Sequence, residues 1–180
     1  MLIRIHNIPF LAIMEPKLDI EHIFPSVVGF SLCLINCNSK ICVFWTIGYH
    51  YNVLENNEQL LHLDLTHDGW TFSGFVTLIY VQRTRRKRQQ LWADLDRLAL
   101  ASTRPWLWGG DFNTISSLVA YSRASQQHLR AIENFNSAAY SCDMQEINYT
   151  GSAFTRSGTR NGRIFHKRLD RILANQAWLE

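Results

Sequence analysis

A carboxylate and an amide follow one of the most apolar stretches of the sequence. The segment WLWGGDFNTI runs from Trp106 to Ile115 and carries Asp111 and Asn113 directly after the apolar residues and two glycines. Apolar runs of this length predict a core strand, whereas Asp and Asn disfavour strand interiors, so we expect the strand to end here. Side chains at positions i and i+2 of a strand end point the same way, which would hold both groups over one spot as a polar site on a rigid scaffold. An ordinary Asp-x-Asn turn or helix cap explains the same residues.

Two further carboxylates are expected near strand ends. Glu15 lies in the apolar stretch FLAIMEP, from Phe10 to Pro16, and Asp170 lies between basic residues in RIFHKRLDRILAN. Oxygen ligands from separate strands suit a hard cation such as Mg²⁺, which keeps several waters and takes one or two protein carboxylates. Acidic residues near strand ends are also common without a metal, so spacing alone leaves both interpretations open.

The segments that would position these residues alternate between strand and helix patterns. Strands are expected in KICVFWTIGYHYNVL, in QLLHLDLTH and in FVTLIYV, which spans Phe75 to Val81. The period changes to that of a helix in RQQLWADLDRLALAS and in SQQHLRAIENFNSAAYSC, where Ser125 is a candidate N-cap. The segment RIFHKRLDRILAN is expected to be one strand that leads into a turn. Because no repeat, low-complexity tract or linker is evident, we expect a single domain over residues 1–180.

The composition is that of a globular protein. The chain has 180 residues, 47% of them hydrophobic and 18% charged, with a formal net charge of +3 and a pI near 8.8. This mildly basic balance permits a phosphate-bearing partner without requiring one. Cys33, Cys37, Cys42 and Cys142 lack the C-x-x-C spacing of a zinc site, so we expect buried, reduced thiols in an intracellular protein. No apolar run has the length of a transmembrane span, and no signal-peptide pattern precedes Glu15.

Four short sequence motifs occur in an order that is typical of a known superfamily. They are AIMEPK at 12–17, LIYV ending on Tyr80 and Val81, GGDFN at 109–113 and RLDRILAN at 168–175. In this order they resemble the endonuclease/exonuclease/phosphatase superfamily and, in detail, the endonuclease-like domain of plant LINE-type non-LTR retrotransposons. The resemblance extends from Leu11 to Leu179. It implies an α/β fold, a four-layer sandwich of two packed, mixed β-sheets flanked by helices.

The resemblance assigns a role to each matching residue. It implies that Glu15 binds Mg²⁺, or Mn²⁺ in its place, and that Asp111 orients or deprotonates the attacking water. Asn113 would hold the scissile phosphate, Tyr80 would close on the same phosphate, and Asp170 would orient a catalytic histidine. These residue types fit phosphodiester hydrolysis, in which a metal neutralises phosphate charge and donors stabilise the transition state. We therefore expect all five residues to converge on one cleft.

Substrate contacts are expected from a threonine and from a basic run. Thr155 in FTR matches the polar residue of FTW, which the resemblance places near the substrate cleft. The run RTRRKR spans Arg83 to Arg88, and its residues Arg83, Arg85 and Arg86 are candidates to contact a phosphate backbone. A solvated loop and first helical turn is the simpler interpretation of the run. We expect weak, salt-sensitive binding to DNA, no membrane partner, no obligate protein partner and a nuclear location inside the cell.

The sequence also departs from the family pattern. The family has a first strand with WN and a closing strand with SDH, which supplies the catalytic histidine, and none of the seven histidines here follows Ser-Asp. Arg156 replaces the tryptophan of FTW, and His128 and His166 are expected to be surface residues. We therefore expect the first and last strands of the sandwich to be missing and catalysis to be weak or lost. Three functions stay open: a Mg²⁺-dependent DNA-nicking endonuclease, a non-catalytic retroelement remnant that binds nucleic acid weakly and, more distantly, a phosphatase of the same superfamily.

Overall fold

The strands and helices of the chain are grouped into two units, Met1–Tyr80 and Val81–Glu180. The structure is a computed structural model that describes residues 8–17, 29–101 and 103–180. The described strands form sheets of three, two and six strands, and helices accompany them in the second unit. This confirms the expected α/β class, whereas the single domain over residues 1–180 stays a prediction. No helix of the described ranges has both the length and the apolar character that crossing a membrane requires.

A three-stranded antiparallel sheet in the first unit carries Glu15 at the end of one strand. The strands β1 (Phe10–Met14) and β2 (Leu32–Ile35) pair with the two edges of β3 (Ile41–Trp45). All five residues of β3 are buried, and Glu15 comes directly after β1. Burial on both faces explains why the segment ICVFW is apolar throughout instead of alternating.

An antiparallel meander completes the first unit. It consists of β4 (Tyr49–Asn56), β5 (Leu60–His67) and β6 (Gly74–Tyr80), which pair in sequence order. The strand β3 packs against β6, so this unit contains two sheets in contact. The strand β6 covers the expected strand FVTLIYV except for Val81, and Tyr80 is its last residue.

The second unit begins with helices and strands in alternation. The helix α1 (Arg85–Leu100) precedes β7 (Trp106–Asp111), and the helix α2 (Leu129–Ser141) precedes the short strand β8 (Gln145–Glu146). The helical period expected in RQQLWADLDRLALAS corresponds to α1, which buries Leu91, Trp92 and Leu95. Amphipathic periodicity therefore identifies this helix correctly.

A hairpin and a final strand complete the second unit. The strands β9 (Arg156–Arg160) and β10 (Arg163–Lys167) pair with each other as a two-stranded antiparallel sheet, and Lys167 also forms an isolated bridge with Tyr121. The strand β11 (Asp170–Ala174) pairs with β7 on one side and β8 on the other, and a short helix α3 (Gln176–Leu179) follows it. Within the second unit the strands β7, β11 and β8 therefore lie side by side in that order.

Three expectations about local structure are wrong or only partly right. RIFHKRLDRILAN forms two strands, β10 and β11, because the chain changes its pairing partner from β9 to β7 between them. The helix α2 begins later than expected, at Leu129, because residues 126–128 form a 3₁₀ turn. Ser125 is the N-cap of that turn and forms a capping box with His128, so the candidate cap itself is confirmed. The thiol of Cys37 is exposed and that of Cys33 is half-buried, so only Cys42 and Cys142 are the buried thiols that were expected.

Candidate functional site

Asp111 and Asn113 lie at the end of β7, as the sequence predicts. The Asp111 Oδ1 atom accepts the Asn113 backbone N–H at 2.8 Å, and Asn113 has a φ of 46°. That left-handed conformation is one that Asn tolerates better than most residues. The Asn113 Nδ2 atom donates to the Val81 carbonyl at 2.7 Å, and the Val81 N–H donates to the Asp111 carbonyl at 2.9 Å. The Asp-x-Asn turn is therefore present, and it also fixes the orientation of the Asn113 amide.

Asp170 begins β11 and is paired directly opposite Asp111 in the sheet. Like charges directly opposite each other destabilise an antiparallel pair, so two carboxylates at this register require compensating cations. The Thr155 hydroxyl helps to place this strand start, since its Oγ1 atom accepts the backbone N–H of Leu169 at 3.0 Å and that of Asp170 at 3.1 Å. Thr155 thus positions Asp170, and its predicted contact with substrate stays a prediction.

Arg171 is a buried cation that is absent from the set of predicted site residues. It is 3% exposed, and its guanidinium donates to the Thr114 carbonyl at 2.8 Å and to the Arg168 carbonyl at 2.7 Å. Its Nε atom lies 3.4 Å from a Glu146 carboxylate oxygen, an ion pair without hydrogen-bond geometry. Burial lowers the pKa of Arg171, and the carboxylates of Glu146 and Asp170 oppose that shift. Arg171 therefore ties the chain just after Asn113 to the chain just before Asp170.

A cavity of about 290 Å³ in the second unit is lined by several cations and by Asn113, the residue predicted to hold a phosphate. Its lining residues are Asn113, Phe165, Leu169 and the four cationic residues Arg83, Arg88, Arg156 and Lys167. In the part of the chain that the structure describes, none of these four cations forms an ion pair with a carboxylate. Unneutralised cations around a concave surface attract anions, so this cavity has the character of a phosphate site.

The hairpin explains why two of these cations lie close together. Lys167 and Arg156 are directly opposite each other in the pairing of β10 with β9. Desolvation lowers the pKa of the Lys167 amine, and the charges of Arg156 and Arg160 lower it further. This repulsion would be relieved by a bound anion, which is a second reason to regard the cavity as an anion site.

The basic run divides between the cavity and the solvent. Arg83 lines the cavity together with Arg88, which is half-buried, whereas Arg85 and Arg86 are exposed in the first turn of α1. The run thus forms a loop and the first turn of α1, and it is exposed at Arg85 and Arg86. Contacts of Arg85 and Arg86 with a phosphate backbone stay a prediction.

Glu15 offers one carboxylate to a metal ion. It is exposed directly after β1, and its Oε1 atom lies 3.5 Å from Lys40 Nζ. Hydrated Mg²⁺ takes one or two protein carboxylates, so the donor type fits, although a cation already neighbours the carboxylate. Within residues 8–17, 29–101 and 103–180, no three His, Cys, Asp or Glu side chains are grouped as a metal site. Metal binding by Glu15 and its convergence with Tyr80 and the residues of the second unit stay predictions.

His166 does not lie on the cavity side of the hairpin. Its Nδ1 atom is 2.8 Å from the Ser157 hydroxyl, with which it is paired across β9 and β10. Because side chains alternate along a strand, His166 points to the face opposite Phe165 and Lys167, which line the cavity. His166 and His128 are both half-buried, and neither is among the residues that line the cavity.

The sequence of the chain is similar to one protein family over most of its length. The sequence model of the endonuclease/exonuclease/phosphatase family matches residues 21–180. Among curated proteins, no sequence matches the chain.

Solved structures with the same fold come from nucleases and a phosphatase. The endonuclease domain of TRAS1, a telomere-specific non-LTR retrotransposon, superposes with a TM-score of 0.67 at 11% identity, covering 99% of this chain and 78% of that one. The AP endonuclease LMAP from Leishmania major gives 0.72 at 14% identity, covering 98% and 72%. ANGEL2, a 2′,3′-cyclic phosphatase, in complex with adenosine-2′,3′-vanadate, gives 0.61 at 10% identity, covering 97% and 72%. At these identities the similarity is one of fold.

Proposed function

Since the chain belongs to the endonuclease/exonuclease/phosphatase family, we propose that it is a divalent-metal-dependent phosphodiesterase that nicks DNA, as in a plant LINE-type retroelement. The observation that carries this proposal is the cationic cavity that contains Asn113. A phosphodiester is a compact anion, and its negative charge would be offset by the arginines and the lysine that line the cavity. The fold shared with the TRAS1 endonuclease domain supports the retroelement class.

The proposed chemistry follows from the hydrogen-bonding capacity of each residue. The Asn113 amide has two N–H groups, of which one donates to Val81, so the other can donate to a phosphate oxygen in the cavity. Asp111 is proposed to orient or deprotonate the attacking water. Asp170 is proposed to orient a catalytic histidine, and because none of the seven histidines follows Ser-Asp, the acid–base contribution of such a histidine is expected to be weak or lost. Tyr80 is proposed to close on the phosphate, and Thr155 is proposed to contact the substrate.

A divalent metal is proposed as the cofactor. Glu15 would hold Mg²⁺, or Mn²⁺ in its place, together with water and phosphate oxygens. When bound, such a cation supplies neutralisation of the charge that develops on the phosphate. The residues of the chain then have to place the phosphate and the water, which is the role proposed for Asn113 and Asp111.

The proposal is tested by nicking of supercoiled plasmid. The full chain should convert plasmid to the open-circular form only slowly in Mg²⁺ and not at all in EDTA, because none of its seven histidines follows Ser-Asp as in the family pattern and catalysis is expected to be weak. Asp111→Ala should reduce the rate by a factor of about 10² to 10⁴, since it removes a general base or orienting group. Glu133→Ala is the matched control, because Glu133 is an exposed carboxylate on α2.

Other outcomes identify the alternative functions. Binding of DNA without nicking by the wild-type chain would replace the endonuclease with a non-catalytic nucleic-acid-binding remnant. Release of phosphate from small phosphate esters, with intact plasmid, would replace it with a phosphatase. Equal rates for the wild-type chain and Asp111→Ala would contradict the proposed role of Asp111.

A nuclear location is proposed from the basic run. Arg85, Arg86 and Lys87 are exposed on the first turn of α1, where an import receptor could reach them. The full chain fused to a fluorescent protein should concentrate in nuclei, and replacement of Arg85 and Arg86 by serine should spread the signal through the cell.

A further inference from the structure

Lys167 has the surroundings of a reactive amine. Its Nζ atom lies 4.3 Å from the centroid of the Tyr121 ring and 5.5 Å from that of Phe165, so aromatic surface replaces part of its water. The side chain is half-buried at the wall of the cavity, where a ligand can reach it. Lys167 therefore combines access from the cavity with partial desolvation.

We propose that Lys167 captures a phosphorylated aldehyde by forming a Schiff base with it. The inference rests on the proposed phosphate-binding function of the cavity and adds a covalent activity to it. The aldehyde carbon would lie at Lys167, and the phosphate would be bound by the other cations of the cavity, Arg83, Arg88 and Arg156. Phe165 and Leu169 form an apolar part of the cavity wall, against which the carbon skeleton that joins the aldehyde to the phosphate would pack.

The covalent step balances without an oxidant or a reductant. The lone pair of the neutral Lys167 amine attacks the aldehyde carbon, and the carbonyl oxygen takes up a proton to give a carbinolamine. Loss of the hydroxyl as water then leaves a carbon–nitrogen double bond, so amine and aldehyde yield imine and one water. Only the neutral amine has the lone pair that this step needs.

Charges from two sides of the cavity favour that neutral form. Arg156 and Arg160 of β9 and the desolvation of the amine lower the pKa of Lys167. Arg83 and Arg88 line the same cavity and add positive charge on the side of α1. The Tyr121 ring acts in the opposite direction, because an aromatic face stabilises an ammonium ion. A lysine beside other cations is the arrangement in which an amine is activated as a nucleophile.

Two kinds of ligand share this chemistry. A ring-opened abasic sugar in a nucleic acid carries an aldehyde one sugar away from its phosphates, and a small phosphorylated aldehyde carries both groups on one molecule. The cavity of about 290 Å³ has room for a sugar-sized carbon skeleton with a phosphate, so both are used as probes.

The first probe is pyridoxal 5′-phosphate, reduced onto the protein with cyanoborohydride and located by peptide mapping. The chain has four lysines, Lys17, Lys40, Lys87 and Lys167. Lys167 should be labelled at least ten times faster than Lys87, a lysine of the basic run that has arginines as neighbours. The labelling of Lys167 should reach half its maximal rate below the ordinary pKa of a lysine. Inorganic phosphate should slow it, and Lys167→Arg should remove it while the far-UV circular dichroism is unchanged.

Additional labelling experiments distinguish failure of the Schiff-base inference from failure of the proposed phosphate site. If pyridoxal without phosphate labels Lys167 as fast as pyridoxal 5′-phosphate does, the amine is reactive but the phosphate site is wrong. If Lys167 and Lys87 are labelled equally while phosphate or DNA still binds, the Schiff-base inference is overturned alone. An oligonucleotide with an abasic site should become covalently trapped on wild-type protein and not on Lys167→Arg. Trapping identifies a nucleic acid as the source of the aldehyde, and labelling by pyridoxal 5′-phosphate alone identifies a small ligand.

Discussion

Asn113 has to satisfy a backbone constraint as well as a role in the site. Its φ of 46° lies in a region that costs most residues free energy because Cβ crowds the following carbonyl. Its amide also bonds to the Val81 carbonyl. We therefore expect Asn113→Ala to lower the free energy of unfolding by about 1–2 kcal/mol more than Asn113→Gly does, since only glycine adopts this φ without strain. Urea denaturation of the two variants measures the difference, and equal stabilities would contradict a backbone role.

Two thiols of the chain should differ sharply in reactivity. Burial raises the pKa of the Cys142 thiol to about 12, whereas Cys37 is exposed. Because the thiolate is the nucleophile and burial keeps the Cys142 thiol protonated at pH 8, this thiol should react slowly. Iodoacetamide should modify Cys37 in a fast phase that Cys37→Ser abolishes, and Cys142 should be the last thiol to react. Fast modification of Cys142 in the folded chain would contradict this account.

The same shift links the stability of the fold to pH. The folded chain holds the Cys142 proton more tightly than the unfolded chain, whose thiol has the ordinary value of 9.0. The stabilisation is therefore complete below pH 9 and is lost as the pH rises through about 12.

At the scale of elements, Arg171 joins strand β11 to the chain that follows β7. Removing its guanidinium leaves the Thr114 and Arg168 carbonyls without their donor and removes one of two cations from Glu146. Breaking a buried charge network of this kind typically costs about 3–5 kcal/mol, and we expect a loss in this range for Arg171→Met. Arg163→Met, at an exposed position of β10, is the control and should change stability by less than about 0.5 kcal/mol. Equal effects of the two substitutions in thermal denaturation would contradict the proposed network.

Sequence patterns predict a helix or strand well where the pattern lies within that segment itself. The end of β7 at Asp111 follows from the contrast between apolar and polar residues, and α1 follows from its period. The break between β10 and β11 has no such signal, because it results from a change of partner strand. The burial of Arg171 does have a signal in the sequence. It lies two residues from both Leu169 and Leu173, which are buried, and residues two apart on a strand point to the same face.

The cations that line the cavity are harder to predict from the sequence than the polar residues at the end of β7. Asp111 and Asn113 are neighbours in sequence, so a single segment reveals them. The cations of the cavity come from the start of α1 and from the β9–β10 hairpin, segments that are about 70 residues apart and meet only in the fold. A resemblance transfers only residues that match a motif, and Arg156 and Lys167 match none of the motif positions with an assigned role.

At the scale of the whole molecule, net charge understates the capacity to bind an anion. A formal charge of +3 is small for 180 residues, yet four cations without carboxylate partners in the described part of the chain line one cavity. The distribution of charge, more than its sum, therefore determines where a phosphate backbone would bind.

The salt dependence of DNA binding measures how many of these cations contact phosphates. Each neutralised phosphate of duplex DNA contributes about −0.9 to the slope of log K against log salt, so the slope ranges from about −0.9 if the four cations share one phosphate to about −3.6 if each contacts its own. Arg156→Ser should reduce the steepness by about one contact and weaken binding uniformly across sequences. Arg97→Ser is the matched control, because Arg97 lies in the last turn of α1 and does not line the cavity. Fluorescence anisotropy at several salt concentrations gives all three slopes. A wild-type slope near zero, or the same change for Arg97→Ser as for Arg156→Ser, would show that this cavity is not where DNA binds.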